Sequence, residues 1–192
     1  RCLPKTAWPP TSGQTTAFIG PTGSGKSTIA NLIPRFYDVS CGSVTIDGVD
    51  IRDVTRHELR DQIGYVPQKS ILFSGTIASN LRLGDENASD EMLSTAAEEA
   101  QASEFINKNP NGLEASISQG GANVSGGQKQ RLSIARALVK DPNIYVFDDS
   151  FSALDFKTDA KLRAAIREQI KDKTVLIIAQ RVGTIMDADQ II

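Results

Sequence analysis

The sequence predicts an α/β fold, a parallel sheet with helices on both faces and an inserted helical region. Three observations predict it. The runs Ile144-Tyr145-Val146-Phe147 and Val175-Leu176-Ile177-Ile178 are continuously apolar, which marks strands covered on both faces rather than on one. Short β-prone runs alternate with amphipathic helical patterns, and that alternation builds parallel sheets through crossover connections. Residues 77–108 shift toward Ala, Glu, Ser and Leu, a composition suited to helices.

Taken in order, residues 1–10 carry three prolines and read as nothing regular. Thr15-Thr16-Ala17-Phe18-Ile19 is a β-prone run that enters a glycine-rich turn. Beyond the turn, Ile29, Leu32 and Ile33 recur at helical spacing over residues 26–33. Residues 43–47 alternate like a strand that ends at the turn signal Asp47-Gly48, and Ile63-Gly64-Tyr65-Val66 is a short strand stopped by Pro67. In the helical insertion, Leu93, Ala96, Ala97 and Ala100 line one face. A second glycine-rich loop, residues 120–127, opens a helix whose stripe is Leu132, Ala135, Leu138 and Val139. Between the two apolar strands lies a helix with Leu162, Ala165, Ile166 and Ile170 inward. Asp189-Gln190-Ile191-Ile192 reads as the beginning of a strand, so both ends are expected to be cuts within a longer polypeptide.

Composition excludes several chemistries. The chain has 192 residues, 40% of them hydrophobic, which is enough for a packed core and rules out a disordered tail. One histidine, His57, and two cysteines exclude His-rich and four-thiolate metal sites, and also a dense disulfide scaffold. A net charge of -2 argues against a strongly basic surface, so no nucleic-acid partner is expected. No apolar run is long enough to cross a bilayer, so any membrane anchor must lie in other segments.

The strongest chemical signal is Gly20-Pro21-Thr22-Gly23-Ser24-Gly25-Lys26-Ser27, followed by Thr28. Glycines at these spacings let successive backbone N–H groups curl around the phosphates of a nucleotide, where side chains would obstruct the anion. Lys26 would neutralise the β and γ phosphates, and the Ser27 hydroxyl would face Mg2+. Asp148 follows an apolar strand, so its carboxylate would emerge at the carboxyl edge of the sheet and hold the same metal. Ser125, Gly126 and Gly127 open a second helix and form another anion site. Taken alone, this segment also reads as a helix start capped by serine.

These segments, with Gln68 in Tyr-Val-Pro-Gln, Val124-Ser125-Gly126-Gly127-Gln128, Phe147-Asp148-Asp149, Ser152-Ala153-Leu154-Asp155 and Ala179-Gln180-Arg181, resemble the ordered motifs of an ABC ATPase. In that order they are similar to the Walker A, Q-loop, signature, Walker B, D-loop and switch-loop motifs, and residues 63–82 are similar to exporter-type nucleotide-binding domains. The resemblance implies a P-loop NTPase (RecA-like) core over about 11–70 and 140–192, with a helical subdomain over about 71–139. It implies ATP and Mg2+ as ligands, with Gly20, Thr22, Gly23, Ser24, Gly25, Lys26, Ser27 and Thr28 on the nucleotide and Ser27, Gln68 and Asp148 toward the metal. Gln68 would also report nucleotide state to a transmembrane partner. Ser125, Gly126, Gly127 and Gln128 would close over the γ phosphate held by a second nucleotide-binding domain. Ser152 and Asp155 resemble the loop that crosses between the two domains. Asn123 with Gly120-Gly121 resembles the segment through which exporters sense their membrane domains.

Two departures stand out. The family normally places Glu after the Walker B Asp as general base, and this chain has Asp149. An aspartate carboxylate falls short by about 1.5 Å, and positioning catalysis loses about two orders of magnitude for about 1 Å. The switch histidine is replaced by Gln180, which can donate a hydrogen bond but carries no charge. With Gln68 these form the catalytic set, and the paired loss beside an intact signature resembles the degenerate half of a heterodimeric exporter at the cytoplasmic face of the cell membrane. The adenine-stacking aromatic of the family has no counterpart here, and Trp8 stands too close to the P-loop to match it. Two other readings fit parts of the pattern. A soluble ABC ATPase of DNA maintenance would need long coiled coil between Lys26 and Ser125; a non-hydrolysing, ATP-dependent dimerisation module would need only the binding motifs.

Overall fold

The computed structural model describes residues 13–192, so residues 1–12, including Trp8, lie outside it. In chain order its elements are β1 (Thr15–Ile19), α1 (Lys26–Leu32), β2 (Thr45–Ile46), β3 (Val49–Asp50), α2 (Arg56–Asp61), β4 (Ile63–Val66), β5 (Gly75–Thr76), α3 (Ile77–Leu81), α4 (Asp90–Glu99), α5 (Ser103–Asn107), β6 (Ser116–Ile117), α6 (Gly126–Lys140), β7 (Ile144–Asp148), α7 (Phe156–Gln169), β8 (Thr174–Ala179) and β9 (Gln190–Ile191). They fall into two compact units. The first joins residues 13–65 with Pro142–Asp149 and Asp172–Ile192; the second joins Val66–Asp141 with Ser150–Lys171.

The first unit is built on a five-stranded sheet in the order β4-β7-β8-β1-β9. β1 runs parallel to both β8 and β9, and β7 runs parallel to β8. Apolar side chains cover both faces, as the unbroken hydrophobic runs predict. Phe18, Val146, Leu176 and Ile178 pack with Ala30, Leu59 and Ile63 on one face, while Ala17, Ala179 and Ile185 cluster separately. Each fully buried Phe, Leu or Ile contributes roughly 1.5–3 kcal/mol, and this packing fixes the registers. Ile19 pairs with Ala179 and Asp148 with Ile178, so β1, β7 and β8 end level with one another. The residues that follow those ends therefore share the carboxyl edge of the sheet, where ligands bind in such folds.

The alternating segment 43–47 forms a shorter strand than its pattern suggests. Asp47 (φ 50°) and Gly48 (φ 81°) are both left-handed, so the chain reverses there as a two-residue hairpin and pairs β2 with β3. His57 lies on α2, exposed, with Nδ1 2.8 Å from Asp61 Oδ2.

In the second unit, α6 packs on α3 and α4. Leu132, Ile134 and Ala135 are fully buried there. Arg136 Nε donates to the Asn80 carbonyl at 2.9 Å, which ties α6 to α3. Gly84 is required by that packing, because a Cβ would stand 2.3 Å from the Arg136 carbonyl oxygen. Gly75–Thr76 and Ser116–Ile117 form a two-residue antiparallel pair that no sequence pattern announces. Among the described residues, no helix is long and apolar enough to cross a membrane.

Candidate nucleotide-binding site

The loop between β1 and α1 takes its shape from its glycines. Gly23 (φ 83°) and Gly25 (φ 94°) occupy the left-handed region, which strains any residue with a Cβ, and Gly25 is the residue at which α1 begins. Ser24 N–H donates to the Pro21 carbonyl at 3.2 Å, closing the turn. The Lys26 ammonium donates to the Gly20 carbonyl at 2.6 Å, the Pro21 carbonyl at 2.8 Å and Ser24 Oγ at 3.2 Å. Its three protons thus hold it against the loop's own oxygens. Thr22 and Thr28 are exposed on the same loop and helix start.

Asp148, at the end of β7, is 5% exposed and binds a different partner with each oxygen. Ser27 Oγ donates to Oδ1 at 3.0 Å, and the Tyr65 hydroxyl lies 3.2 Å from Oδ2. The Tyr65 hydroxyl also lies 2.8 Å from Asn31 Oδ1. Burial first, and then the adjacent Asp148 carboxylate, push the Tyr65 phenol above its ordinary pKa, so it stays protonated and able to donate. The Ser27 hydroxyl spends its proton on Asp148 and keeps lone pairs for a cation. A hydroxyl and a carboxylate within 3.0 Å are hard oxygen donors of the kind Mg2+ uses beside phosphate oxygens and water.

Asp149 follows Asp148 in the left-handed region at φ 47° and is 9% exposed. Its N–H donates to the Ile178 carbonyl at 2.8 Å, and Gln180 Nε2 donates to its Oδ2 at 3.1 Å. The parallel register of β7 and β8 makes these two residues neighbours. The first unit therefore brings together Gly20 to Thr28, Asp148, Asp149 and Gln180, and adds Tyr65 and Asn31, which sequence reasoning did not select. Asn31 stands four residues after Ser27, and that spacing places both on one face of α1.

The second unit carries the rest. Gln68 is exposed, on a segment pinned by its neighbours. Ser150 Oγ donates to the Val66 carbonyl at 2.7 Å, Gln130 Nε2 to the Pro67 carbonyl at 3.4 Å, and Ser70 Oγ to Gln130 Oε1 at 2.7 Å. Ser125 caps α6 through a reciprocal box: its Oγ accepts from Gln128 N–H at 3.3 Å, and Gln128 Oε1 accepts from Ser125 N–H at 2.8 Å. A Cβ on Gly126 would meet nothing within 4 Å, whereas one on Gly127 would touch the Ala153 carbonyl at 3.5 Å. Asp155 caps α7, and the Thr158 N–H it accepts holds its carboxyl below the ordinary range. Asn123 Oδ1 accepts from Ser118 N–H and Oγ, both at 3.0 Å.

Comparison with known proteins identifies the family. The ABC transporter family profile matches residues 8–152. An ABC transporter ATP-binding protein of Sinorhizobium fredii is 48% identical over 181 residues, covering 94% of this chain and 31% of the relative. An ATP-dependent lipid A-core flippase of Vibrio parahaemolyticus is 49% identical over 181 residues, again 94% of this chain and 31% of the relative. A solved bacterial Atm1-family ABC exporter with ATP bound superposes with a TM-score of 0.91 at 44% identity, covering 93% of this chain and 32% of that one. The chain thus spans about a third of the length of the relatives it matches. It belongs to the ABC transporter family, as an ATP-binding domain homologous to those of exporter-type transporters.

Proposed function

We propose that this domain binds Mg2+ and ATP to drive export across a membrane, and that its own site hydrolyses ATP slowly. The observation that carries the reading is the meeting of three elements at one sheet edge. A glycine loop holds Lys26, and the Ser27 hydroxyl lies 3.0 Å from the buried Asp148 carboxylate. Backbone N–H groups and Lys26 would grip the phosphates; Ser27 and Asp148 would hold the metal. When bound, Mg2+ would neutralise charge on the phosphates.

Asp149 and Gln180 fill the places of the general base and the switch residue. The shorter Asp149 carboxylate, kept in place by Gln180, would reach the attacking water poorly. That favours the degenerate half of a heterodimer, whose Ser125, Gly126, Gly127 and Gln128 would complete the site of a Glu-bearing partner. The reading further takes residues 71–139 as the helical subdomain, transmembrane domains as partners and the cytoplasmic face of the membrane as location.

Equilibrium binding of ATP to wild-type and Lys26→Ala protein tests the site. Affinity in the variant should fall by about one to two orders of magnitude, the loss expected when a charge-assisted contact worth roughly 1.5–3 kcal/mol goes from an anion site. Equal affinity would contradict the assignment.

A further inference from the structure

We propose that Tyr65 and Asn31 are positioning residues for the metal site, acting as a two-step hydrogen-bond relay that fixes the Asp148 carboxylate. The inference rests on the reading of Ser27 and Asp148 as the protein's ligands for Mg2+.

The geometry forms a closed ring. Asp148 ends β7, and its sheet neighbour β4 contributes Tyr65. α1 contributes Ser27 and, one turn on, Asn31. Ser27 holds one carboxylate oxygen at 3.0 Å and Tyr65 faces the other at 3.2 Å, so both ends of the carboxylate plane are anchored. Asn31 then meets Tyr65 at 2.8 Å and returns the ring to α1.

Proton bookkeeping gives the relay its direction. The Tyr65 hydroxyl has one proton and faces two oxygens, Asn31 Oδ1 and Asp148 Oδ2. A half-turn of the Asn31 carboxamide, which leaves its shape unchanged, places the amino group at Tyr65 instead. Asn31 then donates to the Tyr65 oxygen, and Tyr65 donates its proton to Asp148. The Tyr65 proton then goes to the carboxylate, and the bond to a charged oxygen is the stronger kind. The Tyr65 ring is itself braced: Phe36 meets it edge-on with centroids 5.3 Å apart, and the Arg60 guanidinium stands 5.2 Å over the Phe36 ring. Groups that orient a metal-binding carboxylate typically change metal affinity 10- to 100-fold when removed.

The test uses the full chain with trinitrophenyl-ATP as probe, measuring its dissociation constant in Mg2+ and in EDTA. In wild-type protein, Mg2+ should tighten binding. Tyr65→Phe, which keeps the ring and its Phe36 contact, should shrink that metal-dependent gain about tenfold and leave binding in EDTA unchanged. Asn31→Leu should shrink it less, and the double variant should be no worse than Tyr65→Phe alone, because the relay acts through Tyr65. A Tyr65→Phe variant whose gain matches wild type overturns the relay while sparing the site. Equal weakening in Mg2+ and in EDTA also overturns it, since that pattern reports a merely structural role. Wild-type binding that ignores Mg2+ overturns the site reading and the relay together.

Discussion

Two helices of this chain begin at glycine-rich loops, and they begin in opposite ways. α1 starts at Gly25 in a left-handed conformation, and among the described residues no side chain caps it. α6 starts at Ser125, in extended conformation, with a complete capping box closed by Gln128. The box satisfies two backbone groups at the start of α6 from within the chain. The start of α1 depends on its glycine backbone, and its first-turn N–H groups are the ones left for an anion to satisfy. One helix start is thus left without a side-chain cap, and the other is closed by its own side chains.

That contrast can be broken or sharpened by substitution. The largest effect concerns Asp149 and its hydrogen-bond partner Gln180. Asp149→Glu with Gln180→His, in the assembled transporter, should raise turnover at this site by up to about 100-fold, because the carboxylate regains about 1.5 Å of reach. Steady-state hydrolysis measured with the partner's own site inactivated checks it; no gain would count against the degenerate-site reading. Next, Gly25→Ala should weaken ATP binding about tenfold, the effect of roughly 1–2 kcal/mol of left-handed strain at φ 94°, since nothing within 4 Å blocks the new methyl group. Titration calorimetry would read it. Ser125→Ala should lower stability by about 1 kcal/mol through loss of the cap, seen in denaturant unfolding, with ATP affinity of the unpaired domain unchanged. The smallest effect is a gain. Gly126→Ala adds a methyl group in open space at the first position of α6 and should stabilise by up to about 0.5 kcal/mol. If Gly25→Ala and Gly126→Ala behaved alike, the two glycine loops would have no distinct roles.

Much of this architecture was legible in the residues themselves. β7 and β8 announced themselves as unbroken apolar runs because both sheet faces are covered, and α6 because its stripe of Leu132, Ala135 and Leu138 keeps helical period. The pairing of Gly75–Thr76 with Ser116–Ile117 was not legible, since two-residue strands have no period and their contact spans a long stretch of chain. The same holds within the candidate site. Lys26, Ser27 and Asp148 stand out by motif, but the Tyr65 contact depends on β4 lying next to β7, a sheet order that sequence pattern does not encode. The Asp149–Gln180 bond likewise follows from strand register, which brings together two residues far apart in sequence.

Amide hydrogen exchange with and without Mg2+ and ATP, at concentrations where the domain is unpaired, tests the nucleotide cradle most directly. Exchange should slow at residues 23–28, where main-chain N–H groups would meet the phosphates, and stay unchanged at residues 126–128. Binding of ATP with no slowing at residues 23–28 would contradict the account.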